Sequence, residues 1–304
     1  MAISTNIAVG RQARLNINGK TLCFAGAVPI STREIVTNQD NVMCGDIDID
    51  INRAQKGRTI VGWSLTFDIT WPIAEVVFPL LGVTTEDATT WSLGATDSLS
   101  LFPVDIDLVG EVHDINNAFV TSWSMRGTKG SRPIQMQMDI MGETESALSG
   151  SFAEDKIAFG AEFAFTHSSM TIEDDASSNL TRQFDRFVMS VNNNVVSEFN
   201  NSITLTDALI GGRTVHFATS IPYVSDHDDL YFDHRDANDG RRVEVVLNNG
   251  SRTLTFLMPS CMAVTKPPSA LGRSQQIRTP VTMLAFRDNE GSRIPPLTIT
   301  SVAS

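Results

Sequence analysis

The stretch that decides the fold runs from residue 62 to residue 81 and reads GWSLTFDITWPIAEVVFPLL. Its first half alternates apolar and polar residues, which is typical of a strand with one buried face. Pro72 lacks the amide hydrogen that a strand ladder needs, but it suits the first turn of a helix. The pattern predicts a strand ending at Pro72, then a short helix over residues 73–81 that Gly82 closes. The apolar positions of the strand are Trp63, Leu65, Phe67, Ile69 and Trp71.

A second copy of this unit begins 150 residues later and reads GRTVHFATSIP, residues 212–222. In each half an alternating hairpin follows the unit (99–125 and 242–262), and then a further strand (134–141 and 281–287). A repeated order of elements indicates two copies of one module. We predict a mainly β protein with two tandem domains, residues 1–150 and 151–304, each with a short flanking helix and joined by the polar stretch 142–150. The identical positions are Gly62 and Gly212, Phe67 and Phe217, and Pro72 and Pro222.

Length and composition agree with two globular domains. The chain has 304 residues, of which 41% are hydrophobic and 19% charged, and each half is long enough to bury its own core. No apolar run approaches the roughly 18 residues that a membrane-spanning helix needs, and the first residues do not resemble a signal peptide. Three widely spaced cysteines do not form a disulfide framework. We therefore expect a protein made in a cytosol.

The net charge of −12, from 35 acidic and 23 basic residues, argues against tight nucleic-acid binding. Such binding depends on lysine and arginine neutralising phosphates. An acidic surface does permit another relation to DNA, in which the duplex slides past without sticking. The simpler interpretation of the charge is solubility.

Two acidic stretches are candidate metal sites. Asp46, Asp48 and Asp50 alternate with isoleucines, which is typical of a strand; a calcium loop would need a turn glycine and a distal glutamate. Residues 226–236 hold His227, His234 and five aspartates, which could bind zinc or a harder ion but are also typical of a solvated loop. We predict no metal site and no cofactor.

Catalytic motifs are absent from the sequence. It contains no G-x-S-x-G elbow and no phosphate-binding glycine loop. None of the histidines has a partner that the sequence can assign, so we predict that the protein is not an enzyme. The histidines are His113, His167, His216, His227 and His234.

Smaller patterns complete the interpretation. Residues 114–117 (DINN) and the Asn-Asn-Gly at 248–250 predict hairpin turns. Residues 83–97 are polar and predict a connecting loop that would hold Trp91 outside the core. Residues 157–166 predict a strand, and KPPS at 266–269 predicts an exposed loop.

The C-terminal half resembles the tail tube proteins of long-tailed bacteriophages. The resemblance rests on four segments in order: FDRFVMSVNNN (184–194), IGGRTVHF (210–217), RRVEVVLNNGSRTLTFLMPS (241–260) and IRTPVTMLAFRDNEGSRIPPLTIT (277–300). Members of that family typically contain a hairpin that ends in Pro followed by Ser or Ala, then a proline-containing loop, and then a strand that ends in A-F/Y-R-D-x-x-G-S. The first half resembles the family through its order of strand, short helix and hairpin.

The resemblance implies a structural protein of the virion tail, made in the host cytoplasm. Family members fold as small β-barrels or sandwiches and form stacked rings around a lumen that conducts DNA. A two-domain chain would form trimeric rings with pseudo-sixfold symmetry. The implied partners are copies of this chain, the tape measure, distal tail and terminator proteins, and genomic DNA in passage, with no membrane. Candidate inter-subunit loops, chosen by length and exposure, contain Val83, Thr96, Lys266, Pro267, Pro268 and Arg273.

Three other interpretations of the function stay open at this stage. A distal tail or terminator protein would share the fold but cap a tube rather than stack on itself. A two-domain β-sandwich that binds a ligand such as carbohydrate would favour clustered surface aromatics. Only two tyrosines, Tyr223 and Tyr231, are present. A hydrolase would depend on the metal-site interpretation of residues 226–236.

Overall fold

A computed structural model describes residues 14–22, 25–26, 30–37, 54–93, 99–107, 111–130, 133–149, 155–173, 179–198, 205, 207–222, 240–264, 278–287 and 294–303. The described chain is mainly β, and most of its strands belong to one large antiparallel sheet that does not close on itself. The prediction of a mainly β fold is confirmed.

The first half contains strands β1 to β11 and helix α1. A short 3-10 turn, Phe78–Leu80, follows α1. The bounds are β1 Arg14–Ile17, β2 Lys20–Leu22, β3 Ala25–Gly26, β4 Ile30–Thr37, β5 Ala54–Asp68, α1 Trp71–Val77, β6 Thr84–Asp87, β7 Thr90–Ser92, β8 Phe102–Asp107, β9 Glu111–Thr128, β10 Gln135–Gly142 and β11 Thr144–Ser149.

The second half contains strands β12 to β21, with a 3-10 turn at Phe165–His167. The bounds are β12 Ser168–Glu173, β13 Asn179–Thr181, β14 Arg186–Asn192, β15 Val195–Glu198, β16 Asp207–Ile210, β17 Thr214–Pro222, β18 Arg241–Asn248, β19 Arg252–Ala263, β20 Arg278–Phe286 and β21 Thr298–Ala303.

The strand and helix predicted from residues 62–81 are present. Strand β5 buries Trp63, Leu65 and Phe67. Helix α1 begins just before Pro72, where the ring suits the first turn. Gly82 ends the helical segment with φ +73°, a left-handed conformation that glycine adopts without strain.

The eight central strands follow the order β4-β5-β10-β9-β14-β17-β20-β19, all antiparallel. The first four strands come from the first half of the chain and the last four from the second half. In both groups the strand that carries the repeated phenylalanine, Phe67 in β5 and Phe217 in β17, pairs with an earlier strand on one edge and a later strand on the other. The order of strands therefore repeats, as the sequence repeat predicts.

The matched phenylalanines occupy equivalent places. Phe67 of β5 pairs with Met136 of β10, and Phe217 of β17 pairs with Met283 of β20. These residues belong to one buried row that crosses six strands, because cross-strand partners share a face of the sheet. The row consists of Phe67, Met136, Met125, Met189, Phe217 and Met283.

The predicted loop at 83–97 is wrong for its described part. Residues 84–92 form the hairpin β6–β7, and β7 pairs with β21 near the C-terminus. Trp91 is 2% exposed and packs edge-on against Phe78, with ring centroids 5.4 Å apart. The burial of one tryptophan outweighs the polar residues around it, since an aromatic side chain of this size gains most from leaving water.

The turn predicted at 114–117 is also wrong. These residues lie within β9, which runs without a break in the described chain from 111 to 128. The pairing with β8 shifts between Phe102 and Val104, so Asn116 and Asn117 form a bulge opposite a single residue. Asn117 has φ +51°, a conformation that asparagine tolerates in bulges as well as in turns.

Two further predictions differ from the structure. Most of the predicted linker 142–150 is the strand β11, which pairs with residues 111–116 of β9. Most of the predicted strand 157–166 forms only isolated bridges, such as Thr70 with Glu162, and Phe159 is 98% exposed. The hairpin predicted around Asn-Gly at 249–250 is confirmed as β18–β19. The second flanking helix and residues 46–50 lie outside the described residues.

Candidate functional site: the polar face of the central sheet

One face of the central sheet carries polar side chains across six strands, and we call it the polar face. It lies opposite the buried methionine row, because successive residues of a strand point to opposite sides. Every member keeps at least partial solvent exposure. Its members are Ser64, Thr66, Asp68, Gln135, Gln137, Asp139, Ser122, Ser124, Arg126, Arg186, Val188, Ser190, Asn192, Thr214, His216, Ala218, Ser220, Thr282 and Leu284.

Hydroxyl and amide groups dominate this face. The Ser122 hydroxyl donates to Asp139 at 2.6 Å, and the Ser64 hydroxyl donates to the same carboxylate. The Gln135 amide donates to Asp68 at 3.1 Å. Neutral donors therefore occupy both carboxylates of the face.

The formal charges of the members named above balance, and Arg278, which pairs in register with Pro222, continues the same face with one further positive charge. Among those members, two aspartates, Asp68 and Asp139, face two arginines, Arg126 and Arg186, and His216 is the remaining titratable residue. The excess acidity of the chain therefore lies elsewhere. A face of this kind offers few cations to bind phosphate and little net charge to repel it.

The two halves meet at a seam between β9 and β14. Seven residue pairs join them, from Ser122 with Asn192 to Thr128 with Arg186. Beside the seam, Asn193 is fully buried and donates to the Val120 carbonyl at 2.9 Å. Arg213 donates to the Asn193 side chain at 2.9 Å. A buried network with its partners in place fixes the register of both halves.

The two outermost strands of the eight central strands, β4 and β19, differ from the strands at the seam in how their edges are paired. In the described chain, no strand pairs with the second edge of β4 or β3. At the other end, β18 stops pairing with β19 at Cys261, whereas β19 continues to Ala263. Strand β9 behaves in the same way: β8 stops pairing with it at Ala118, and β14 takes over that edge from Ser122.

Of the sequence-predicted contact residues, the structure describes Val83 alone. Val83 is 8% exposed, so the chain itself already buries this side chain. The remaining candidates and the tyrosines lie outside the described residues; they are Thr96, Lys266, Pro267, Pro268, Arg273, Tyr223 and Tyr231.

Sequence reasoning missed an apolar pair on a separate hairpin. Strands β15 and β16 form a two-stranded sheet of their own, in which Val196 and Leu209 are cross-strand partners. The two side chains are 54% and 42% exposed. Their pairing depends on register, which a single sequence does not encode directly.

The described residues include histidine, cysteine and acidic side chains, which are common metal ligands in proteins. No group of three or more His, Cys, Asp or Glu side chains lies together there. His113 of β9 contacts Glu145 of β11 at 2.7 Å. The acidic stretch 226–236 lies outside the described residues. In the part of the chain that the structure describes, no helix is long and apolar enough to cross a membrane.

No protein-family model matches the chain, and no curated protein matches it.

Proposed function

We propose that this protein is the tail tube protein of a long-tailed bacteriophage, with no enzymatic role. Three copies would form a ring of six modules, and rings would stack into a tube that conducts DNA. Each module, residues 1–150 and 151–304, would act as a tail-tube-like β-barrel or sandwich unit with a short flanking helix. The observation that carries the proposal is the repeated strand order. The second copy follows the first across the sheet, and β9 of the first copy pairs with β14 of the second.

The seam supplies a template for the contact between copies. Strands β3 and β4 flank β5 as β14 flanks β17. Strand β19 continues past β18 as β9 continues past β8. A contact between β19 of one copy and the β3–β4 edge of the next would repeat the β9–β14 pairing. Such a head-to-tail contact is heterologous and closes into a ring when its rotation fits.

The open sheet supports the same proposal on energetic grounds. An unpaired strand edge exposes amide and carbonyl groups that promote uncontrolled association, and pairing it with a neighbouring copy removes that hazard. A closed ring would place one face of the continuous sheet on the inside. The polar face fits that position, because hydroxyl and amide groups with little net charge neither hold nor strongly repel a passing duplex.

The proposed partners follow from the role. A tube subunit meets copies of itself, a tape measure protein inside the growing tube, and distal tail and terminator proteins at its ends. The proposed location is the virion tail, after synthesis in the bacterial cytoplasm.

Negative-stain electron microscopy of the full-length protein at rising concentration tests the proposal. We expect tubes or stacked rings with a central hole and threefold or pseudo-sixfold symmetry. Single rings that never stack would instead favour a distal tail or terminator protein. Particles that stay monomeric at every concentration would contradict ring formation and favour a ligand-binding module.

Proline substitutions on β4 test the edge itself. Neighbouring amide groups of a strand point to opposite edges, so Ser31 and Thr32 differ in which edge their N–H serves. One of the two substitutions, Ser31→Pro or Thr32→Pro, removes an N–H that points away from β5. The other removes an N–H that bonds to β5. The outward variant should fold, as judged by its circular dichroism spectrum, yet form no rings. Normal rings from both folded variants would exclude this edge from the assembly contact.

A further inference from the structure

A second row of polar residues crosses another part of the large sheet, formed by β2, β1, β8, β9 and β11. Each member is the cross-strand partner of the next, so all of them share one face of the sheet. Each carries a side-chain oxygen. The row consists of Thr21, Asn16, Asp105, Asp114 and Ser146.

Two oxygens of this row are buried without a hydrogen-bond partner. Asn16 is 7% exposed and Thr21 is 9% exposed. The Asn16 Oδ1 and the Thr21 Oγ1 both lack a partner. A buried polar atom left unpaired costs about 1–3 kcal/mol, so native proteins rarely keep one without a ligand or a water.

One carboxyl group lies on the strand next to Asn16, and a second lies on the strand beyond it. Asp105 is the direct cross-strand partner of Asn16 on one side and of Asp114 on the other. Asp105 and Asp114 are direct cross-strand partners, and like charges directly opposite each other on a sheet are destabilising. The pair is therefore electrostatically unfavourable when both groups are ionised.

Cationic side chains lie at the margins of the row. Arg14 pairs in register with Asp107, two residues further along the same two strands. Lys156 forms a backbone β-bridge with Thr21 at the far end of the row, so both β2 and β1 separate it from Asp105. The electrostatic environment between Asn16 and Asp114 is therefore acidic and rich in oxygen acceptors.

We propose that Asn16 Oδ1 and the carboxylates of Asp105 and Asp114 bind a divalent cation, calcium, with water completing its coordination. Calcium takes six to eight oxygen ligands in flexible geometry and accepts carboxylates and amide carbonyls together. Magnesium demands near-ideal octahedral geometry, which three side chains in a line on a pleated surface do not provide. The ion would satisfy the orphaned amide oxygen and remove the repulsion between the carboxylates. This inference does not depend on the proposed function.

Thermal unfolding with and without calcium tests the site. In the presence of EDTA, Asp105→Asn should melt at a higher temperature than the wild type, because the substitution removes the carboxylate repulsion. Millimolar calcium chloride should raise the melting temperature of the wild type but leave the melting temperatures of Asp105→Asn and Asp114→Asn unchanged. Asp207→Asn is the matched control, because it removes one exposed carboxylate on β16 and should respond to calcium as the wild type does.

Isothermal titration of the wild-type protein with calcium chloride provides a measurement without substitutions. We expect one binding event per chain that Asn16→Ala weakens at least tenfold. The absence of binding heat, together with no rise in the wild-type melting temperature, would overturn the proposal. An equal rise in Asp105→Asn would place the ion elsewhere, and a larger rise with magnesium than with calcium would overturn the choice of metal.

Discussion

Gly127 shows how tightly the two halves meet at the scale of single residues. It lies on β9 opposite Phe187 of β14. A Cβ atom at this position would lie 2.6 Å from the Phe187 ring and 3.0 Å from the Phe165 ring. These two rings stack with centroids 6.4 Å apart, so neither can retreat without disturbing the other. The seam therefore depends on the absence of one side chain.

Gly127→Ala should destabilise the fold by about 1–3 kcal/mol, the usual effect of overpacking a well-packed core. Gly212→Ala is the matched control, because a Cβ there meets no atom within 4 Å and should change stability by less than about 0.5 kcal/mol. Urea denaturation of the two variants measures the difference. Equal midpoints would show that the phenylalanine pair can move aside.

The sequence alone could not predict which residues come together through strand register. Asn16 and Asp114 lie almost a hundred positions apart in the chain, and only the pairing of β1, β8 and β9 places them in one row. Trp63 and Trp123 were predictable core residues, because each lies in an alternating segment. Trp91 was not predictable, since its neighbours are polar and its packing partners come from α1 and the turn after it.

At the scale of elements, the bulge in β9 explains why an asparagine pair did not form a turn. Asn-rich tetrapeptides favour turns because asparagine tolerates positive φ, and a bulge uses the same property within a strand. The Asn117 amide also donates to Glu143, next to the start of β11. The bulge therefore lies where β9 changes partners from β8 and β11 to β10 and β14.

Asn117→Val should cost about 1–2 kcal/mol more than Asn117→Gly, because a β-branched residue is strained at φ +51°. Both substitutions remove the amide, so the difference between them isolates the backbone conformation. Chemical denaturation gives the two free energies of unfolding. A valine variant as stable as the glycine variant would mean that the bulge relaxes to another conformation.

At the scale of the whole molecule, the halves share more than a linker. The seam joins β9 to β14, and β21, near the C-terminus, pairs with β7 of the first half. The ring of Phe78 contacts that of Phe256, with centroids 6.2 Å apart. The domain division at residue 150 stays a prediction, but these contacts couple the two modules physically.

Heating the full chain should therefore give a single calorimetric transition with equal calorimetric and van't Hoff enthalpies. A fragment of residues 1–150 should aggregate, because it would expose the seam edge of β9. Light scattering checks the fragment and scanning calorimetry checks the whole chain. Two separate transitions, with a soluble fragment, would show that each module folds independently.

The sequence predicted the class of fold and the repeat better than the connections between strands. Alternating segments such as residues 62–71 predict strands directly, and the copied phenylalanines, Phe67 and Phe217, fall on equivalent strands of the sheet. The pairing of β11 was not predictable, because its residues are mostly polar and its pairing with β9 depends on backbone hydrogen bonds, which the side-chain pattern does not reveal. The polar face followed from alternation only after the pairing partners were known.

The covalent connection of the two modules has a consequence for how assembly depends on dilution. The seam forms within one chain, so its effective concentration is set by the connecting segment and does not fall when the protein is diluted. A ring of six modules built from three chains would have three junctions between molecules, whereas a ring of six separate modules would have six. Half of its junctions would survive any dilution that leaves the chain folded.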